Sequence, residues 1–166
     1  KTVSTFSRDK IETIRLKIIN LIQKSKVVLL KNTRLEISHH YGIELFNKYG
    51  MVMVTILNSI YCKKLLFLLY KQKHPEQYHK KKQETFFILY GKVKVCLTKN
   101  SKTKIKILKA GDILTIMPHE IHSFSCLSKD GTVIEELSTS SNSKDSYYID
   151  PKIENNKKRK SFISLA

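Results

Sequence analysis

Two stretches of the chain gather side chains able to hold a divalent cation. In the first, Gln77 and His79 stand two apart, and Glu84 follows His79 after four residues; in the second, Pro118 is followed by His119 and His122. Positions two apart on a strand face the same way, so Gln77 and His79 aim to one side. The lysine run 80–82 then turns the chain, and Glu84 returns near the same point. Gly111-Asp112 opens a strand over Ile113 to Met117 that Pro118 ends, and His122 begins the next strand with Phe124 on its face. Imidazole and carboxylate groups from separate strands suit zinc, manganese, iron or nickel and leave positions open for water or substrate. His74 and His119 flank these motifs as rim histidines. Of the adjacent His39 and His40, at most one can face such a site.

These residues need a frame that brings position 79 beside position 122. From Val27 onward the apolar residues alternate in short β-branched or aromatic runs: 27–30, 51–57, 65–70, 85–97, 105–108, 113–117, 123–127 and 133–137. Turn-formers such as Asn100-Ser101, Ala110-Gly111-Asp112 and Lys129-Asp130-Gly131 separate them. Many short strands without intervening helices predict an antiparallel sandwich or barrel. Before them, Ile11, Ile14, Ile18, Leu21 and Ile22 recur at three- and four-residue spacings, which predicts one amphipathic helix over 8–24 that packs on the barrel or a partner subunit. Gly42 to Lys48 reads as one further helical turn. The expected organisation is a helical extension over 1–30, a barrel over 31–150, and a basic C-terminal tail over 151–166, exposed or disordered around Asn155 to Lys160.

The formal charge is +17, yet arginine occurs only at positions 8, 15, 34 and 159. Bidentate recognition of phosphates and bases favours arginine, so the lysine excess argues against a nucleic-acid partner and for attraction of small anions. No apolar run reaches the length of a membrane span. Cys62, Cys96 and Cys126 form neither a CxxC pair nor an even set, which points away from a disulfide framework or thiolate zinc site. Lys1 to Lys10 lack a secretory apolar segment, so a cytoplasmic setting is expected.

Gln77-Tyr78-His79, Glu84 and Gly91, followed by Gly111, Pro118 and His122, resemble the paired motifs of the cupin superfamily, with glutamine in place of the leading histidine and one extra residue before the proline. The resemblance implies an all-β cupin double-stranded β-helix, a jelly-roll barrel, with metal ligands at His79, Glu84, His122 and Gln77. Ser38 to Gly42, Tyr61 to Lys64, His74 to Lys82, Glu135 to Thr139 and Asp145 to Tyr148 are similar to D-lyxose isomerase-like proteins and to cupin domains that accompany N-acetylneuraminate synthases. That likeness implies a sugar or sugar acid as ligand and aldose-ketose isomerisation in surface-polysaccharide or sialic-acid-type biosynthesis. Glu135 and Glu136 interrupt an apolar strand, so one carboxylate must turn inward; by analogy Glu135 is taken as the inward general base. Lys82 is a second proton carrier, with Lys73 also placed to bind an anion, and Asp145 and Tyr147 are placed to close the pocket. A non-catalytic sugar-binding module and an iron-dependent dioxygenase are the alternatives. A homodimer is expected, through sheet edges or the helix.

Overall fold

The structure is a computed structural model and describes residues 5–166; the part of the N-terminal reading that rests on residues 1–4 lies outside the described residues. Helix α1 (Thr5–Ser25) forms where the sequence spacing predicts it, and its stripe of Ile14, Ile18 and Leu21 is buried. Burying each such side chain contributes roughly 1.5–3 kcal/mol, which fixes the helix on the sheet. Lys26, at φ 60°, ends the helix by donating its backbone N–H to Gln23 O.

Twelve strands follow: β1 (Arg34–His39), β2 (Gly50–Asn58), β3 (Tyr61–Leu68), β4 (Lys73–Tyr78), β5 (Glu84–Tyr90), β6 (Lys92–Lys99), β7 (Lys102–Lys109), β8 (Ile113–Ile116), β9 (Ile121–Cys126), β10 (Thr132–Thr139), β11 (Tyr147–Tyr148) and β12 (Lys160–Ser164). The seven-stranded sheet has the order β12-β1-β2-β3-β10-β5-β8, and the five-stranded sheet the order β11-β4-β9-β6-β7. Their pairs run antiparallel. Gly91 carries the chain from β5 into β6 at φ 80°, where a Cβ would meet Gly131 O at 2.3 Å. Only glycine suits that close left-handed turn.

The core has two layers. One lies between α1 and the outer face of the larger sheet and includes Ile18, Leu21, Leu35, Val54, Leu65 and Val133. The other fills the lumen between the sheets, with Leu66, Phe86, Ile88, Val93, Val95, Phe124 and Ile134. The larger sheet is therefore apolar on both faces.

Three expectations are corrected. Residues 151–166 are no tail: helix α2 (Pro151–Asn155) buries Ile153, and β12 pairs with β1 from Arg34–Ser164 to Ser38–Lys160, ending on a buried Leu165. Lysines hid this segment from a composition reading, although Ile153 in α2, Ile163 in β12 and Leu165 just after it supply its apolar contacts. Residues 27–30 are not a strand; Val27 and Leu29 pack on the helix layer, and no neighbouring strand offers a ladder. Strand β1, with one polar residue between each apolar pair, was not anticipated.

Candidate functional site

The lumen is open at one end as a cavity of about 200 Å³, lined from both sheets by Gln77, His79, Lys82, Glu84, His74 and Glu136 among others. Gln77 on β4 pairs in register with His122 on β9 and with Tyr148 on β11, so the first motif and the second meet across one ladder. Glu84 begins β5 in the opposite sheet and closes the group.

His79 donates its Nδ1–H to Asp145 O at 2.9 Å, and His122 donates its Nδ1–H to Glu120 O at 2.9 Å. Both rings are thereby held in the tautomer that leaves Nε2 as a bare acceptor. Those two Nε2 atoms and Glu84 Oε1 lie within 4.8 Å of one another. All three are buried and lack a hydrogen-bond partner, although Glu84 Oε1 approaches His122 Nε2 to 2.9 Å and His79 Nε2 to 3.6 Å. An orphaned buried polar atom costs about 1–3 kcal/mol. A single divalent ion satisfies all three at once, and the nitrogen–oxygen donor set suits the ions named from the sequence. Gln77 lines the same cavity from the β4 side, with no side-chain hydrogen bond among the described residues.

Lys82 is buried and bridges two carboxylates, with Nζ 2.8 Å from Glu84 Oε2 and 3.0 Å from Glu136 Oε1. Burial alone would lower its pKa, but Glu136 and Glu84 outweigh burial and hold the ammonium above its ordinary value. Burial likewise pushes Glu84 up, while Lys82, His122 and His79 pull it well below the usual carboxylate range. For His122 the Glu84 carboxylate overcomes desolvation and raises the imidazole. The turn that carries Lys82 is clasped by Asp145, whose carboxylate accepts the backbone N–H groups of Lys80, Lys81 and Lys82 at 3.0–3.3 Å. Asp145 thus orients His79 and Lys82 together. Tyr147 stacks on Tyr78 at the same turn, outside the cavity.

The inward carboxylate of β10 is Glu136, not Glu135. Glu136 is 6% exposed and lines the cavity, whereas Glu135 lies on the opposite face with its carboxylate 3.7 Å from Lys63 Nζ. Strand alternation forces this, since Ile134 points into the lumen and Val133 toward the helix layer. Lys73 is exposed away from the cavity, and His119 is exposed at φ 67°. His74 is no rim residue: it is buried, stacks on Phe124 at 4.8 Å and meets the ring of His40 edge-on. Both His39 and His40 are buried; His39 bonds Ser161 at 2.9 Å, and neither lines the cavity. Glu36, Lys64, Ser141, Tyr148 and Lys160 complete the wall and were missed by motif reading, although alternation along β3 marks Lys64 as sharing the face of Leu66.

No protein-family model matches the chain. A D-lyxose ketol-isomerase of Thermofilum sp. (strain ex4484_79) is 23% identical over 173 residues, covering 89% of this chain and 95% of that protein. Cellulomonas parahominis L-ribose isomerase, solved with L-psicose, superposes with a TM-score of 0.72 at 14% identity, over 89% of this chain and 94% of its own. Acinetobacter sp. DL28 L-ribose isomerase, solved with L-ribose, gives a TM-score of 0.73 at 13% identity, over 89% and 94%. The chain therefore shares the two-sheet fold of these isomerases and is similar in sequence to a D-lyxose ketol-isomerase.

Proposed function

We propose that this chain is a divalent-metal-dependent aldose–ketose isomerase acting on a monosaccharide. One observation carries the reading: three orphaned, buried ligand atoms converge beside a carboxylate that faces the cavity. His79, Glu84 and His122 would hold the ion, with Gln77 as a weaker fourth donor. When bound, the ion supplies Lewis-acid stabilisation of charge on two adjacent sugar oxygens.

The reaction moves one hydrogen from C2 to C1 and one from O2 to O1, with no net gain or loss. Glu136 is the group placed to take the proton from C2 and return it to C1, in the manner of a general base that becomes the general acid. Lys82, held protonated by its two carboxylates, is a poor base; its work is to hold the Glu136 carboxylate in position. The polar lining around a cavity of about 200 Å³ accommodates a monosaccharide. Its cellular setting in this reading is surface-polysaccharide or sialic-acid-type biosynthesis, which the sequence resemblance supports, with a homodimer as the working form.

Ketose formation from a panel of aldoses, followed by NMR in the presence of manganese, zinc, iron or nickel, tests the reading, with Glu84→Ala as control. Metal content of protein purified without chelator or histidine tag is measured alongside. Turnover that requires metal and is lost in Glu84→Ala supports isomerisation. Tight sugar binding with no turnover of any aldose or ketose would instead favour a non-catalytic sugar-binding module, the reading that Gln77 at a ligand position supports.

A further inference from the structure

The cavity holds six residues of full charge, and their pairing is uneven. Glu36 is matched by Lys160 at 2.6 Å, and Glu84 and Glu136 share Lys82. Lys64 is left over. Among the described residues its ammonium has one partner, the neutral Ser141 hydroxyl at 3.0 Å, and no carboxylate lies within ion-pair distance. Its cross-strand neighbour Glu136 is committed to Lys82.

Lys64 is also held in place rather than trailing into solvent. Ser141 donates its backbone N–H to Asn58 Oδ1 at 3.0 Å, and Asn58 donates Nδ2–H back to Ser141 O at 2.9 Å. This reciprocal pair fixes the hydroxyl that orients the ammonium. Asn58, Ser143 and Ser146 line the same stretch of wall and add further polar groups.

Position decides what such a group would bind. Lys64 on β3, Glu136 on β10 and Phe86 on β5 form one row across the sheet, and Glu84 stands two residues from Phe86 on the same face. Two inter-strand spacings of about 4.8 Å separate the β3 and β5 backbones. That distance is roughly the length of an extended sugar, so a ligand whose carbonyl end lies at His79, Glu84 and His122 presents its far end to Lys64.

We infer that the cavity takes a monosaccharide with an anionic group at the end remote from the carbonyl, a carboxylate or a phosphate, and that Lys64 with Ser141 binds that group. The inference rests on the isomerase reading for the orientation of the sugar. A lysine ammonium is a compact charge that pairs with either anion, and the net charge of +17 draws anions toward the molecule.

The test is a binding measurement on the full chain with and without manganese, by calorimetry. The ligands are D-mannose, D-mannuronate and D-mannose 6-phosphate, together with D-ribose and D-ribose 5-phosphate. At least one charged sugar should bind about tenfold more tightly than its neutral parent, and the preference should shrink in 0.5 M salt. Lys64→Met should bring the ratio of charged to neutral affinity close to one, whereas Lys63→Met, on the opposite face, should preserve it. The uronate and phosphate arms tell the two anions apart. Neutral sugars binding as well as or better than every charged one, or a preference that survives in Lys64→Met, overturns the inference. Should the charged sugars bind through Lys64 while no aldose or ketose in the NMR panel is turned over, the catalytic reading fails and the anion site stands.

Discussion

Two neighbouring rows of the same sheet do opposite work. In one, Met53, Leu66, Ile134 and Ile88 face each other across β2, β3, β10 and β5; in the next, two residues along, Thr55, Lys64, Glu136 and Phe86 do so. The first row belongs to the lumen core, with Leu66, Ile88 and Ile134 almost wholly out of solvent, although Met53 and Leu66 also reach the cavity wall; the second opens on the cavity through Thr55, Lys64 and Glu136, while its Phe86 also belongs to the core. The backbone ladder is continuous through both, so the change from adhesive to reactive surface is made by side chains alone. The first row uses its side chains for packing, whereas the second carries a lysine and a carboxylate to the cavity wall.

That division can be broken from either side. Glu136→Gln keeps the volume of the reactive row while removing its base, and kcat should fall about 10²–10⁴-fold with the melting temperature little changed. Steady-state kinetics beside a thermal melt checks this; undiminished kcat would remove Glu136 from the chemistry. Ile134→Ala, two residues away on the packed row, should do the reverse and cost about 2–5 kcal/mol of folding stability. Urea titration reads that loss, which corresponds to a fall in melting temperature of roughly 5–15 °C.

A smaller effect tests the histidines behind the cavity wall. Burial, with help from Arg159, lowers His40 to about 4, against 6.5 for an unfolded histidine. Between those values the unfolded chain binds more protons, so stability falls as the pH drops from about 6.5 to about 4, by up to ~3 kcal/mol for this group. Urea midpoints across that window should show a shallower dependence in His40→Gln, and an unchanged slope would exclude His40 as a contributor. The smallest effect belongs to Glu135→Gln. Its partly exposed pair with Lys63 should change stability by about 0.5 kcal/mol or less, and turnover should match the parent.

The matched pair at 135 and 136 also shows where the sequence ran out. Alternation made it plain that one of these carboxylates turns inward, but not which. The strand is apolar on both faces because α1 covers the outer one, so Val133 and Ile134 give no phase. By contrast, His79, Glu84 and His122 were legible because spacing around a turn and a proline constrains them without reference to any covering layer. The same reasoning located the helix through its five isoleucine and leucine positions. The lysine-rich stretch 157–160 before it concealed β12, which has only Phe162 and Ile163 as apolar residues and no fully buried position. Lys64 was lost among thirty-one basic residues; only the tertiary structure distinguishes a lysine facing the cavity from one facing water, and only it shows that Lys82 bridges two carboxylates.

The pairing of β12 with β1 joins residues 160–164 to residues 34–39, and it also carries Lys160 to Glu36 on the cavity wall. During synthesis, the sheet therefore cannot be completed until its last strand has left the ribosome. Until then β1 presents an unpaired margin, and a nascent chain stalled before residue 160 would offer that margin to neighbouring polypeptides.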